Sequence, residues 1–175
     1  MFENKLHAAI RDIPDFPQPG IVFKDITPIL KDPELCKEIV EEFVIRLKDM
    51  TIDVVAGIES RGFLFGLMLA SRLGVPFVPI RKQGKLPYQT IAEGYKLEYG
   101  QATIEVHADA FEEGARVLIH DDLLATGGTV VAASKLVERA GAQIAGFSFL
   151  ISLDFLNAKG RLTRFSKNII SLTAF

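Results

Sequence analysis

The run Val117-Leu118-Ile119-His120-Asp121-Asp122-Leu123-Leu124-Ala125-Thr126-Gly127-Gly128-Thr129 constrains this chain more than any other stretch. An apolar strand over 116–120 ends in two adjacent carboxylates, a Thr-Gly-Gly-Thr turn follows, and a helical pattern opens at Val130. Two glycines let the backbone turn tightly, so that consecutive N–H groups converge on one point. The positive end of the following helix faces that point, and Thr126 and Thr129 add hydroxyl donors. A strand–turn–helix corner of this kind belongs to an α/β fold and forms a phosphate cradle. Asp121 and Asp122 would repel a bare phosphate, so they need another task, such as gripping sugar hydroxyls or standing near a divalent metal.

A ligand with a terminal phosphate, vicinal hydroxyls and a metal-bound second group fits that arrangement. 5-Phosphoribosyl-1-pyrophosphate (PRPP) has all three. The run is not a P-loop, because no Lys follows the second glycine, and it lacks the dinucleotide G-x-G-x-x-G spacing.

The rest of the chain repeats the strand–helix alternation. Residues 3–11 read as a short helix, and 14–20 are too proline-rich for regular structure. Asp32 and Pro33 make an N-cap and first helical position, and Ile39, Phe43 and Leu47 carry the apolar stripe of a helix to Lys48. Residues 54–58 form a buried strand, 62–73 a helix stopped by Gly74, and 77–80 the next strand. Residues 82–94 are polar and loop-like, and 95–99 with 102–107 alternate as a hairpin around Gly100. Helix 130–140 ends at Gly141, and strands follow at 143–151 and 168–173. The expected architecture is one domain over 1–175, a mainly parallel twisted sheet with helices on both faces and ligands at the carboxyl ends of strands.

Composition excludes several classes. A net charge of −2 leaves no basic footprint for nucleic acid. No apolar run spans a bilayer, and Met1-Phe2-Glu3-Asn4-Lys5 lacks a secretory core, so a cytoplasmic location with no membrane partner is expected. Cys36 is the sole cysteine, which excludes a disulfide framework. His7, His107 and His120 share no ligand spacing and read as structural or surface positions.

Three further blocks carry chemistry. Glu59-Ser60-Arg61-Gly62 lies between a strand and a helix, where a second helix N-terminus and the forked Arg61 cation suit a diphosphate; read alone, Arg61 also serves as a surface ion-pair residue. Arg81, Lys82 and Lys85 flank a loop around Gly84 and Pro87, either a solvated basic surface or a lid over an anion. Val22-Phe23-Lys24 follows a Pro/Gly turn, so its backbone groups need not all enter a ladder and are free to read the edge of a base; Phe23 alone reads equally as core. Glu98, by spacing, is an acid on a strand face beside Tyr99.

Taken together, Phe16–Pro28, Gly57–Phe63, Arg81–Pro87 with Leu97–Gly100, and the cradle run resemble the adenine phosphoribosyltransferases, type I phosphoribosyltransferases of purine salvage. The resemblance spans about Pro14 to Arg161. It implies a Rossmann-like core with a flexible hairpin lid, and transfer of the phosphoribosyl group of PRPP to adenine, giving AMP and pyrophosphate. Mg²⁺ would enter with PRPP and be held mainly by substrate oxygens rather than by protein ligands. By the same resemblance, Ala125, Thr126, Gly127, Gly128 and Thr129 grip the 5′-phosphate, while Asp121 and Asp122 hold the ribose hydroxyls. Ser60, Arg61 and the Arg81/Lys82/Lys85 lid take the pyrophosphate, with a strained Glu59–Ser60 peptide. Val22 and Lys24 read adenine through their backbone, with Phe23 and Leu123 flanking the ring. Glu98 carries a proton near the purine N7, and Tyr99 packs at the reaction centre. Many relatives have Arg where this chain has Lys24, a change confined to the side chain. The resemblance also implies a homodimer. Two rivals remain at this point: another base as acceptor, and a PRPP-sensing regulator without turnover.

Overall fold

Strand placement follows directly from which residues are buried on both sides. The computed structural model describes residues 1–96 and 100–175. β3 (Val54–Ile58) is apolar and buried throughout, and its side chains divide between two cores: Val54, Ala56 and Ile58 pack on one face of the sheet, Val55 on the other. In β7 (Arg116–Leu124), Val117 and Ile119 face the first core and Leu118 the second. Such unbroken apolar runs mark parallel strands covered on both sides.

The chain begins with α1 (Phe2–Ala9), then β1 (Arg11–Pro14) and β2 (Val22–Asp25), which pair as an antiparallel ribbon of two strands. α2 (Pro33–Leu47) starts as expected, with the Asp32 carboxylate accepting the N–H groups of Glu34 at 3.1 Å and Leu35 at 3.0 Å. After β3, α3 (Gly62–Leu73) ends at Gly74, whose φ of +71° closes the helix in the left-handed region. β4 (Phe77–Lys82), β5 (Thr90–Lys96) and β6 (Gln101–His107) precede β7. α4 (Gly128–Arg139), β8 (Gln143–Ser152), α5 (Lys159–Leu162) and β9 (Ile169–Ala174) complete the chain.

Among the described residues the main sheet has seven strands in the order β5-β6-β4-β3-β7-β8-β9. β4, β3, β7, β8 and β9 are parallel, and the β5–β6 hairpin adds antiparallel strands at one edge. Helices α1, α2 and α3 contribute to the core on one face, and α4 packs on the other. From β3 the chain crosses to β4 on one side; from the adjacent β7 it crosses to β8 on the other. The carboxyl ends of β3 and β7 therefore flank a topological switch point, where a doubly wound sheet leaves a crevice. No helix among the described residues is long and apolar enough to cross a membrane.

Several boundaries differ from expectation; the helix expected over 3–11 stops at Ala9, and Arg11 opens β1. β7 does not end before the acids: Asp121 and Asp122 lie inside it, because β8 continues beside it and pairs Leu123 with Ile151 and Leu124 with Ser152. Residues 90–94 are strand rather than loop. Their polar character suits an edge strand whose Glu93 is ion-paired with Lys135 and Arg139 of α4. α4 opens at Gly128 rather than Val130. Pro14, assigned to irregular chain, closes β1, where its missing N–H is tolerated at a strand end.

Candidate active site

Three segments distant in sequence meet above the switch point. Arg61 leaves the β3–α3 turn and places Nε 2.8 Å from Oδ2 of Asp122 on β7. The same guanidinium lies over the Phe23 ring of β2, with its carbon 4.8 Å from the ring centroid. Phe16 backs that ring edge-on at 5.2 Å. Asp122 is only 3% exposed, and its Oδ2, although paired in charge with Arg61, receives no hydrogen bond. It is a buried acceptor with capacity left for a ligand.

Asp121 adjoins it, and its Oδ1 accepts the Asp122 N–H at 2.9 Å. Burial and the neighbouring Asp122 charge raise the Asp121 carboxyl well above the ordinary range. Asp122 is also raised by burial, against the opposing pull of Arg61. Of the two, Asp121 favours its protonated form more strongly, because Arg61 pairs directly with Asp122. The sign for stability follows. The unfolded Asp121 titrates near its ordinary value and the folded one higher, so folded stability falls as pH rises between the two. Asp121→Asn keeps the acceptor and cannot ionise. Its melting temperature should exceed that of the parent at pH 7, with the difference vanishing below about pH 4. Melting curves across pH check this; a lower melting temperature at pH 7 would contradict it.

The cradle follows β7 directly. Gly127 precedes α4 with φ of +79°, a conformation that disfavours any side chain, and a Cβ there would lie 3.2 Å from the Ala158 methyl. Arg161, which sequence reading did not single out, donates to the Thr126 carbonyl at 2.8 Å and so fixes the turn from outside. Residues 125–129 thus lead into the amino end of a twelve-residue helix, beside the two acids.

The β3–α3 turn is held equally firmly. Its Glu59–Ser60 peptide is cis. Glu59 Oε2 accepts the Lys82 N–H at 2.9 Å and Arg81 Nε at 3.2 Å. Burial alone would raise the Glu59 carboxyl, but these donors and the Arg81 and Lys85 charges hold it below its ordinary value. Arg81 and Lys82 therefore belong to the end of β4, fixed against the turn, and only Lys85 sits within the loop proper. Gly62 packs against β7: a Cβ there would approach the His120 carbonyl at 2.9 Å and Asp121 Oδ1 at 3.0 Å.

On the other side of Phe23, Val22, Lys24, Leu123, Ala125 and Thr126 line a mostly apolar cleft of about 590 Å³. Asp12, Gly20 and Ile21 add to its rim, and its far wall includes Leu153, Phe155, Leu156 and Phe175, none of which local sequence distinguishes from core. Lys24 Nζ is tied to Asp12 Oδ1 at 2.6 Å and lies 3.7 Å from the Phe175 ring centroid. Among the described residues β2 pairs only with β1, so its other backbone edge has no strand partner in the ribbon. His120 is structural, as expected: its Nδ1 meets Ser148 Oγ at 2.9 Å, and burial lowers its pKa to about 3, leaving the ring neutral. Glu98 and Tyr99 lie outside the described residues.

Comparison with known proteins agrees with this geometry. Residues 27–169 match the phosphoribosyl transferase domain family. An adenine phosphoribosyltransferase of Cytophaga hutchinsonii is 55% identical over 172 residues, covering 98% of this chain and 95% of the relative. The crystal structure of adenine phosphoribosyltransferase from Thermoanaerobacter pseudethanolicus superposes with a TM-score of 0.95 at 49% identity, covering 99% of each chain. The Saccharomyces cerevisiae adenine phosphoribosyltransferase, solved with an imino-altritol bisphosphate and adenine, gives a TM-score of 0.91 at 38% identity over 98% of each chain. With a doubly wound sheet, a cradle at its switch point and an arginine–aspartate pair beside an apolar cleft, this chain belongs to the phosphoribosyltransferase family, among the adenine phosphoribosyltransferases.

Proposed function

We infer that the chain transfers the 5-phosphoribosyl group from PRPP to adenine, releasing pyrophosphate and forming AMP, a reaction of purine salvage. The observation that carries the reading is the contact of Phe23, Arg61 and Asp122. It joins an apolar cleft sized for a base to a cation suited to a diphosphate and a carboxylate suited to sugar hydroxyls.

In this reading residues 125–129 bind the 5′-phosphate through backbone N–H groups and the Thr126 and Thr129 hydroxyls. Asp121 and Asp122 accept from the ribose hydroxyls, which supply the donors that the buried Asp122 Oδ2 lacks. Ser60, Arg61 and the basic segment Arg81, Lys82 and Lys85 receive the pyrophosphate, and the loop acts as a lid that excludes water. Adenine lies between Phe23 and Leu123, its edge read by the backbone of Val22 and Lys24. N9 attacks C1 as the C1–O bond to pyrophosphate breaks, through a transition state with positive charge on the sugar ring like that of glycoside hydrolysis. Buried carboxylates close to the ring stabilise that charge. For the purine proton we propose Glu98, with Tyr99 at the reaction centre, on the strength of the sequence resemblance.

Among the described residues no three His, Cys, Asp or Glu side chains converge as a metal cage. The carboxylates nearest the pyrophosphate position, Glu59 and Asp122, are already faced by arginines. That donor set fits Mg²⁺ brought in with PRPP and held mainly by substrate oxygens and water. When bound there, the metal neutralises the leaving pyrophosphate.

The chain is proposed to act as a single domain over residues 1–175 and as a homodimer in the cytoplasm. Leu64, Leu67 and Met68, at helical spacing on the outer side of α3, are 42%, 57% and 39% exposed and offer an apolar face for a second copy. Sedimentation at micromolar concentration should give twice the chain mass; a monomer there would overturn the assembly.

The direct test supplies Mg²⁺ and PRPP with adenine, hypoxanthine, guanine or orotate in turn and follows nucleotide formation. AMP from adenine alone is expected. Turnover of another base instead would overturn the base cleft, and PRPP binding without turnover would make the protein a regulator.

A further inference from the structure

The basic loop is held by a residue that the reaction does not use. Glu105 lies on β6, opposite Arg81 in the antiparallel register with β4, and is only 4% exposed although it carries a carboxylate. Its Oε1 accepts the N–H of Gly84 at 3.0 Å and that of Leu86 at 3.3 Å, and its Oε2 accepts the Thr90 hydroxyl at 3.4 Å. The two N–H groups bracket Lys85. The Lys85 carbonyl in turn accepts from Arg81 Nη1 at 3.3 Å, while Arg81 Nε donates to Glu59. A chain of contacts therefore runs from Glu105 through the loop backbone to Arg81 and on to the β3–α3 turn that carries Ser60 and Arg61. Gln83 N–H donates to the Thr103 carbonyl at 3.0 Å and anchors the entry to the loop. Gly84 has φ of +81°, a conformation that glycine adopts without strain and that turns its N–H into the reach of Glu105.

We propose that Glu105 is a positioning residue for PRPP: its carboxylate fixes the backbone of residues 84–86 and thereby sets where Lys85 and Arg81 stand relative to the pyrophosphate. A buried carboxylate accepting two backbone N–H groups is a strong, directional constraint. Its loss leaves both donors without a partner and frees the loop, while the adenine cleft, built from β2, β7 and the residues near Phe155, is untouched. The effect should fall on one substrate only.

The inference rests on the phosphoribosyl-transfer reading, and its test separates the two. If the parent protein makes no AMP, that reading fails. The clasp itself is read independently, by tryptic cleavage at Lys82 and Lys85 in the substrate-free protein. Glu105→Ala should cleave there at least about tenfold faster and raise the KM for PRPP by about tenfold or more, with the KM for adenine unchanged. Glu105→Gln keeps Oε1 as acceptor for both N–H groups, and the Thr90 hydroxyl can accept from its amide. It should restore parental cleavage and KM. Thr90→Val removes the hydroxyl contact alone and should move both readouts in the same direction by a smaller factor, which keeps the test open should Glu105→Ala fail to fold. An unchanged KM for PRPP in Glu105→Ala, equal rises for both substrates, or no rescue by Gln would overturn the proposal.

Discussion

Asp122→Ala should lower kcat/KM for AMP formation by roughly ten- to two-hundred-fold, the cost of about 1.5–3 kcal/mol for a lost charge-assisted hydrogen bond. Two consequences of the geometry act together. The variant removes a buried acceptor that has no hydrogen-bond donor of its own in the protein, and it releases Arg61 from the partner that orients it over Phe23. Stability should respond far less. Burial works against the Asp122 charge, so its removal relieves a cost that partly offsets the lost ion pair, and the freed Arg61 is one-third exposed and reaches water. A large kinetic loss with a nearly unchanged melting temperature is the expected result. Unchanged kinetics with adenine and PRPP would remove Asp122 from the site.

Gly62→Ala should damage both stability and activity. The added Cβ would lie 2.9 Å from the His120 carbonyl oxygen, 3.0 Å from Asp121 Oδ1 and 3.1 Å from Asp121 Cα. Two of these atoms belong to the backbone of β7, a strand paired on both sides, so no side-chain rotation relieves the contact. Overpacking of this kind costs about 1–3 kcal/mol. The strain is relieved only by moving α3 away from β7, which displaces Arg61 and Asp121 together, and a shift near 1 Å in a positioned site costs on the order of a hundredfold in rate. Gly160→Ala is the control, since a Cβ there meets nothing within 4 Å. Melting curves and steady-state kinetics on both variants decide the matter; parental stability in Gly62→Ala would contradict the close packing of α3 on β7.

Much of this molecule follows from short-range chemistry. Asp32 followed by Pro33 starts α2 because an aspartate accepts the first free N–H groups and proline suits the first turn. Gly74 ends α3 and Gly127 opens the cradle because both take a positive φ. The apolar runs of β3 and β7 declare strands covered on two faces, and hence the doubly wound architecture. The cradle, the acids and the Arg61 turn were all legible as candidate sites for the same reason: each is a local pattern whose chemistry needs no distant partner to be recognised.

What a single stretch cannot contain is its neighbour. Asp121 and Asp122 look like the end of a strand until β8 is placed beside them, and residues 90–94 look like a loop until α4 supplies cations for Glu93. The back of the base cleft, from Phe155 to Phe175, carries no local mark because its apolar residues resemble any core. Glu105 is one more strand acid until the fold buries it against Gly84 and Leu86. The sequence by itself determined most elements of the parallel core, their alternation and the chemical character of each loop, since these arise from backbone preference and from the period of apolar residues; the β1–β2 ribbon and the edge strand β5 were outside its reach. Only the tertiary structure decided that Phe23, Arg61 and Asp122 share one point, because that contact depends on the strand order that sets β3 beside β7 and on the ribbon that carries β2 over them.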